Sequence, residues 1–397
     1  MISAIASQLE DSITIAVTSL AKKLKAEGKD VVGFGAGEPD FHTPKNIQTA
    51  GIDAIQAGKT CYTPESGIVE LKNAICDKLK RDNQLDYTPD NIVVSCGAKH
   101  SIINTLMALI DPGDEIVIPA PYWVSYVDQA KLVSGVAVIV KTDESTGFKI
   151  TADMLQRHLT PKSKLLILNS PSNPTGMVYS KAELEAIAKV VEAHPRLFVI
   201  SDEIYEKLIY TEQPHVSIAQ LGSVIKDRTI VINGVSKSYA MTGWRIGYLA
   251  APAPIAKAIG RIQGHTTSNP TTPSQWASVE ALNGSQDDVA VMKAEFDRRR
   301  HYMVATLNTI PGFSCLEPEG AFYAFPNISA LYGKRCASGV IANSADFCNF
   351  LLKEALVACV PGSGFGADAY IRLSYSTSMA DIEKGLGRIK AWVEALQ

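Results

Sequence analysis

Between the apolar stretches TIVING and RIGYLA, the segment VSKSYAMTGW carries Ser236 and Lys237, and Arg245 opens the second stretch. Two cations and a hydroxyl thus lie beside what reads as a buried sheet. A lysine in a partly apolar cleft can lose its proton and attack an aldehyde to form a Schiff base, while an arginine fork and a hydroxyl suit a phosphate. That combination fits pyridoxal 5'-phosphate. Taken alone, Lys237 and Arg245 read more simply as surface charges on a loop.

Other motifs change that balance. SDEIY delivers Asp202 to a strand end and Tyr205 three residues later; a carboxylate there can pair with a protonated pyridine nitrogen, and a phenol can hydrogen-bond the ring oxygen. In isolation, Asp202 is equally a helix N-cap and Tyr205 equally a packing residue. NSPSNPTG ends a strand at Asn169 and turns at Asn173-Pro174, which can hold one amide near the ring oxygen and another near a substrate carboxylate. SCGAKHSIINTL reads as a strand, a Gly97-Ala98 turn and a helix whose free N–H groups form a phosphate seat. Trp123 in PAPYWVSY can lie flat on a ring, and Arg372 in YIRLSYS can grip a carboxylate through two parallel hydrogen bonds. Standing alone, Trp123 reads as core and Arg372 as surface.

Other chemistries are disfavoured. GFGAGEPDF is not G-x-G-x-x-G, because Glu38 takes the last glycine's place, and no Walker-type loop occurs. Nucleotide binding, and with it a nicotinamide dehydrogenase, is therefore not expected. The seven histidines form no close cluster and the seven cysteines no Cys-x-x-Cys pair, so neither a metal site nor a disulfide framework is expected.

These residues need a scaffold. From about residue 45 to 285, short Val/Ile/Leu-rich runs alternate with longer amphipathic stretches, as in a mainly parallel sheet covered by helices. Candidate strands are 91–96, 115–120, 164–169, 197–202, 229–234 and 245–250. Ligands of such sheets sit outside the carboxyl ends of the strands, so Asn169, Asp202 and the 234–237 segment are expected to converge. Beyond residue 290 a long polar helix (292–310), short strands near 321–325 and 371–374 and a helix at 343–356 suggest a smaller α+β domain. The amphipathic stretch 16–27 and the GFGAGEPDF turn are expected to join it. The division expected is an N-terminal arm with part of the small domain at 1–42, a large cofactor-binding domain at 43–288 and a small domain at 289–397.

At 397 residues and 46 % hydrophobic composition the chain can bury a large core. Its formal net charge of -3 gives no pull toward nucleic acid or an anionic membrane. The opening residues do not resemble a secretory signal and no apolar run is long enough to cross a bilayer. A cytoplasmic chain with small-molecule partners is expected, in which the glycosylation patterns at Asn283 and Asn327 are chance matches.

Read in order, GAGEPDF, Y-T-P-x-x-G, GAK, PYWVSY, NSPSNPTG, SDEIY, SKSYAMTGWRIGY, GAFY and RLSYS resemble the class I aminotransferases over nearly the whole chain, within the bacterial branch of aspartate and prephenate aminotransferases. The resemblance implies a homodimer of fold type I using pyridoxal 5'-phosphate, with active sites at the subunit interface. It implies Lys237 as cofactor anchor and base, Asp202, Tyr205 and Asn169 around the ring, Trp123 stacked on it, and Gly97, Ala98, Ser236 and Arg245 as phosphate seat. Tyr62 would be lent to the phosphate by the other subunit. Arg372, Asn173 and the Gly37 backbone would hold the substrate's α-carboxylate. Lys99, with Ser12 and Thr14, would meet a distal carboxylate, favouring aspartate and glutamate. Cys96 departs from the small residue or threonine common in relatives, with little effect expected where the backbone binds. Prephenate as a second acceptor, a broad aromatic or kynurenine-type specificity, and a regulator that binds the cofactor without turnover remain alternatives.

Overall fold

The structure is a computed structural model that describes residues 2–9 and 13–397. A seven-stranded sheet runs in the order Ile92–Ser95, Gly247–Ala250, Thr229–Gly234, Phe198–Asp202, Ser163–Asn169, Glu115–Ala120, Val136–Lys141. The chain is α/β, with helices on both faces of a mainly parallel sheet. Its central strands are continuous apolar runs because both faces are covered; all six residues of Thr229–Gly234 are buried.

Five of these strands pair in parallel, which puts their carboxyl ends on one edge. There Asn169 is in register with Asp202, and Asp202 with Ile232. Gly247–Ala250 runs antiparallel to both neighbours. Its entrance, not its exit, therefore meets that edge, and Arg245 arrives beside the other strands' carboxyl ends.

The strand Val136–Lys141 was not among the six expected. It is the outermost strand of the sheet, and only the short turn 133–135 separates it from the helix Ser125–Leu132. Helix and strand are hard to separate in a short apolar run. The long polar helix also begins earlier than expected, spanning Asp287–Leu307, with Asp287 and Asp288 placed favourably on the positive end of its dipole.

Arg372 sits in Ile371–Ser374, the middle strand of a three-stranded antiparallel sheet with Val360–Pro361 and Tyr323–Ala324. Near the N-terminus, the helix Ile13–Ala26 leads to Val32–Gly33, which pairs in parallel with Val357–Ala358. The chain then passes Ser374, whose N–H donates to the Phe34 carbonyl at 2.8 Å, and enters the 35–38 segment. No helix among the described residues is long and apolar enough to cross a membrane.

Candidate active site

A cavity of about 440 Å³ opens at this edge, within the size range of small-molecule sites. It is lined by Lys237, Ser236, Arg245, Ala98, Lys99, Trp123, Asn169, Asn173, Asp202, Tyr205, Gly37, Arg372 and Thr14, residues scattered over most of the chain. Gly97 is not in the lining but lies against Arg245, which is. Tyr62 is not in its lining and is 91 % exposed. Ser12 lies outside the described residues.

Lys237 donates from Nζ to the Gly37 carbonyl at 2.6 Å. Burial pushes its ammonium down to about 8; Glu38 opposes the shift, Arg245 and Arg372 reinforce it, and Asp202 opposes it weakly. An amine poised there can act as nucleophile or base near neutral pH. Asp202 is 4 % exposed and burial pushes its carboxyl up to about 6, against hydrogen bonds from the Tyr126 hydroxyl at 2.7 Å and the Ile204 N–H at 3.3 Å. A carboxylate so desolvated gains from a cationic partner in the cavity.

Asn169 donates to the Asp202 carbonyl at 3.0 Å and accepts from the Asn173 N–H at 2.8 Å, so its amide plane is fixed by the turn expected of NSPSNPTG. The Tyr205 hydroxyl is 2.8 Å from that of Tyr323. Sequence reasoning missed Tyr126 and Tyr323. Tyr126 stands one helical step beyond Trp123, the two rings meeting edge-on at 5.3 Å, a spacing that could have signalled it; Tyr323 lay in the quoted GAFY without an assigned partner.

Arg372 is 2 % exposed, and burial pulls its charge downward. Its Nη1 donates to Asn173 Oδ1 at 3.0 Å and Nη2 to the Gly35 carbonyl at 2.9 Å, while Nε has no partner. Tyr323 packs on the guanidinium at 4.4 Å. Among the described residues no carboxylate pairs with Arg372, Arg245 or Lys99. A buried guanidinium without a counter-charge is costly, which marks the place for an anion. Lys99 is an exposed residue, but its ammonium lies 4.9 Å from the Trp123 ring, and partial desolvation together with Arg245 lowers its affinity for a proton. Lys22 adds a further cation from the helix Ile13–Ala26.

A candidate phosphate seat combines backbone N–H groups with two side chains. Gly97, at φ +91°, caps the helix Ala98–Leu109 without a side chain over its first N–H groups. A Cβ on Gly97 would lie 2.4 Å from Arg245 Nη2. Arg245, itself left-handed at φ 57°, is steered by the Thr242 carbonyl at 2.8 Å and the Cys96 carbonyl at 3.2 Å. Helix N-terminus, guanidinium and the Ser236 hydroxyl together suit a phosphate dianion. The donor set fits pyridoxal 5'-phosphate: an amine for its aldehyde, a carboxylate for its ring nitrogen, and a cationic seat for its phosphate.

The sequence profile described as aminotransferase class I and II matches residues 29–389. The chain belongs to this family. An aspartate aminotransferase of Bacillus sp. (strain YM-2) is 50 % identical over 97 % of both chains. An aspartate/prephenate aminotransferase of Cereibacter sphaeroides is 46 % identical over 98 % of both. The crystal structure of the aspartate aminotransferase from Rhizobium meliloti superimposes with a TM-score of 0.97 at 44 % identity, covering all of both chains. The fold is thus that of the fold type I aminotransferases, and the protein is a transaminase that uses pyridoxal 5'-phosphate.

Proposed function

We propose that the chain is an aspartate aminotransferase that moves the amino group reversibly between L-aspartate and 2-oxoglutarate, working as a cytoplasmic homodimer. The observation that carries this reading is the pair of uncompensated cations, Arg372 and Lys99, lining one cavity with Lys237. Arg372 with Asn173 and Gly37 suits the α-carboxylate common to all amino acids. Lys99, with Thr14 and Ser12 at the N-terminal segment, suits the second carboxylate that distinguishes aspartate and glutamate. The curated relatives named as aspartate aminotransferases support the same substrate. Seven unlinked cysteines fit a reducing compartment.

When bound, the cofactor supplies an aldehyde that accepts and returns the amino group and a ring that draws electron density from the substrate's α-carbon. Lys237 anchors it through Nζ and, once released by substrate, carries the proton from the α-carbon. Asp202 holds the ring nitrogen, Tyr205 and Asn169 face the ring oxygen, and Trp123 covers the ring. Gly97, Ala98, Ser236 and Arg245 seat the phosphate, with Tyr62 supplied by the second copy.

Replacing Lys99→Met tests the assignment. The loss of one charge-assisted contact, on the order of 1.5–3 kcal/mol, should cut kcat/KM for aspartate roughly 10- to 100-fold while alanine and phenylalanine change little. An equal fall for all donors would contradict a distal-carboxylate role. A second reading, prephenate as an additional acceptor, is favoured by the Cereibacter sphaeroides relative and by Thr14 and Lys99 sharing the cavity. Recovery of the amino-loaded enzyme by prephenate as fast as by 2-oxoglutarate would establish it.

A further inference from the structure

The segment leaving the Phe198–Asp202 strand alternates its acidic residues between two environments. Asp202 and Tyr205 line the cavity. Glu203 and Glu206 are buried without lining it, Glu203 to 1 % exposure. Glu203 Oε1 accepts from the Ser201 hydroxyl at 2.7 Å and the Ser217 hydroxyl at 2.5 Å. Its Oε2 lies 3.0 Å from His215 Nε2, yet neither atom makes a hydrogen bond of good geometry. Glu206 is paired with Lys78 and accepts from Asn83 Nδ2 at 2.9 Å. The one buried ammonium of the cluster is therefore taken, and no lysine or arginine pairs with Glu203 among the described residues. The remaining titratable groups that sense Glu203 are Tyr87 and Tyr248, both neutral phenols lifted further by burial.

Hydroxyl donors solvate a carboxylate without cancelling its charge, which inside a protein is weakly screened; the group placed to offset it here is an imidazolium at His215, 3.0 Å away. Asp202, the adjacent residue, is the acidic group in the cavity nearest along the chain, and the Glu203 charge acts on it in the direction of disfavouring a second negative charge.

We propose that Glu203 is a positioning residue for the reaction: the negative charge it holds behind Asp202 strengthens that carboxylate's grip on a cationic ring nitrogen. The same hydroxyl contacts fix the strand end from which Asp202 and Tyr205 project. This rests on the reading that Asp202 faces the pyridine ring.

The test uses full-length protein and three variants. Glu203→Gln keeps the shape and both hydroxyl contacts while removing the charge; His215→Lys leaves Glu203 in place and sets an ammonium beside it. In the cofactor-free protein, carboxyl-carbon NMR should show the Asp202 midpoint moving to lower pH in both. In the loaded enzyme, the pH midpoint of the visible absorbance change should fall as well, by about threefold or more in proton affinity, and kcat should fall while KM for aspartate stays within about twofold. Unmoved midpoints in Glu203→Gln, or in His215→Lys should the first variant fail to fold, would overturn the proposal. The third variant, Asp202→Asn, separates the two layers: if it leaves absorbance and kcat unchanged, the placement of Asp202 against the ring is what fails.

Discussion

Burial moves Lys237 and Asp202 in opposite directions, the lysine down to about 8 and the aspartate up to about 6. Each shift reflects a destabilised charged form, and under the proposed roles each would be relieved by the cofactor, which would take the amine into a covalent link and offer the carboxylate a cation. For Asp202 the consequence in the cofactor-free protein has a definite sign. Its proton is held more tightly in the fold than in the unfolded chain, so the associated stability is fully present below pH 3.8 and is lost as pH rises through about 6. Urea titrations of the cofactor-free protein at pH 4 and pH 7 should show wild type losing about 2 kcal/mol more than Asp202→Asn across that interval; equal losses would mean that the carboxyl is not perturbed. Lys237, Asp202, Arg245 and Arg372 were readable in sequence because each stands at the end of, or within, an apolar run that must be buried. Tyr126 and Tyr323 were not, because a tyrosine in an apolar stretch is ordinary and only the tertiary fold decides what its hydroxyl meets.

The elements place these residues through a few tight backbone contacts. The entrance of the Gly247–Ala250 strand presses on the turn that starts the Ala98–Leu109 helix, and a Cβ at Gly247 would lie 2.1 Å from the Ala98 backbone nitrogen. Backbone cannot yield as a side chain can, so Gly247→Ala should destabilise the protein by about 1–3 kcal/mol or more and loosen the phosphate seat. At Gly97 the obstacle is the mobile end of Arg245. Gly97→Ala adds backbone strain of about 1–3 kcal/mol, because φ +91° with ψ 160° is open essentially to glycine alone, and should in addition weaken cofactor affinity about tenfold or more by displacing the Arg245 guanidinium from the proposed phosphate seat. Calorimetry and cofactor titration of the two variants check this; a Gly97→Ala protein that binds cofactor as tightly as wild type would contradict it. The central strands were legible in sequence because doubly covered strands are continuous apolar runs, whereas the edge strand Val136–Lys141 is mostly half-buried and follows the helix Ser125–Leu132 after only a short turn. Neither glycine contact was legible, since the approach of a strand to a distant turn leaves no local trace.

At the scale of the whole molecule, one residue of the expected set faces away from the cavity of its own chain. Tyr62 is 91 % exposed, and Ile52, Ile55 and Val69 nearby in sequence are also exposed apolar residues. A second copy covering this face would bury them and bring Tyr62 to a neighbouring phosphate. Sedimentation should therefore give a dimer, and Tyr62→Phe should leave the dimer intact while raising the cofactor's dissociation constant by roughly 3- to 10-fold, the worth of one hydrogen bond. A monomer that retains cofactor fully would contradict both expectations. The resemblance of motifs over nearly the whole chain implies this arrangement, whereas composition and periodicity alone give no sign of it.

The central claim, a cavity selective for substrates with two carboxylates, is tested most directly by single-turnover absorbance of the cofactor-loaded protein. Mixed separately with aspartate, glutamate, alanine and phenylalanine, it should lose its yellow colour rapidly with the first two and much more slowly with the others, and regain it with oxaloacetate or 2-oxoglutarate. Equal rates for all four donors, or no change with any, would contradict the account.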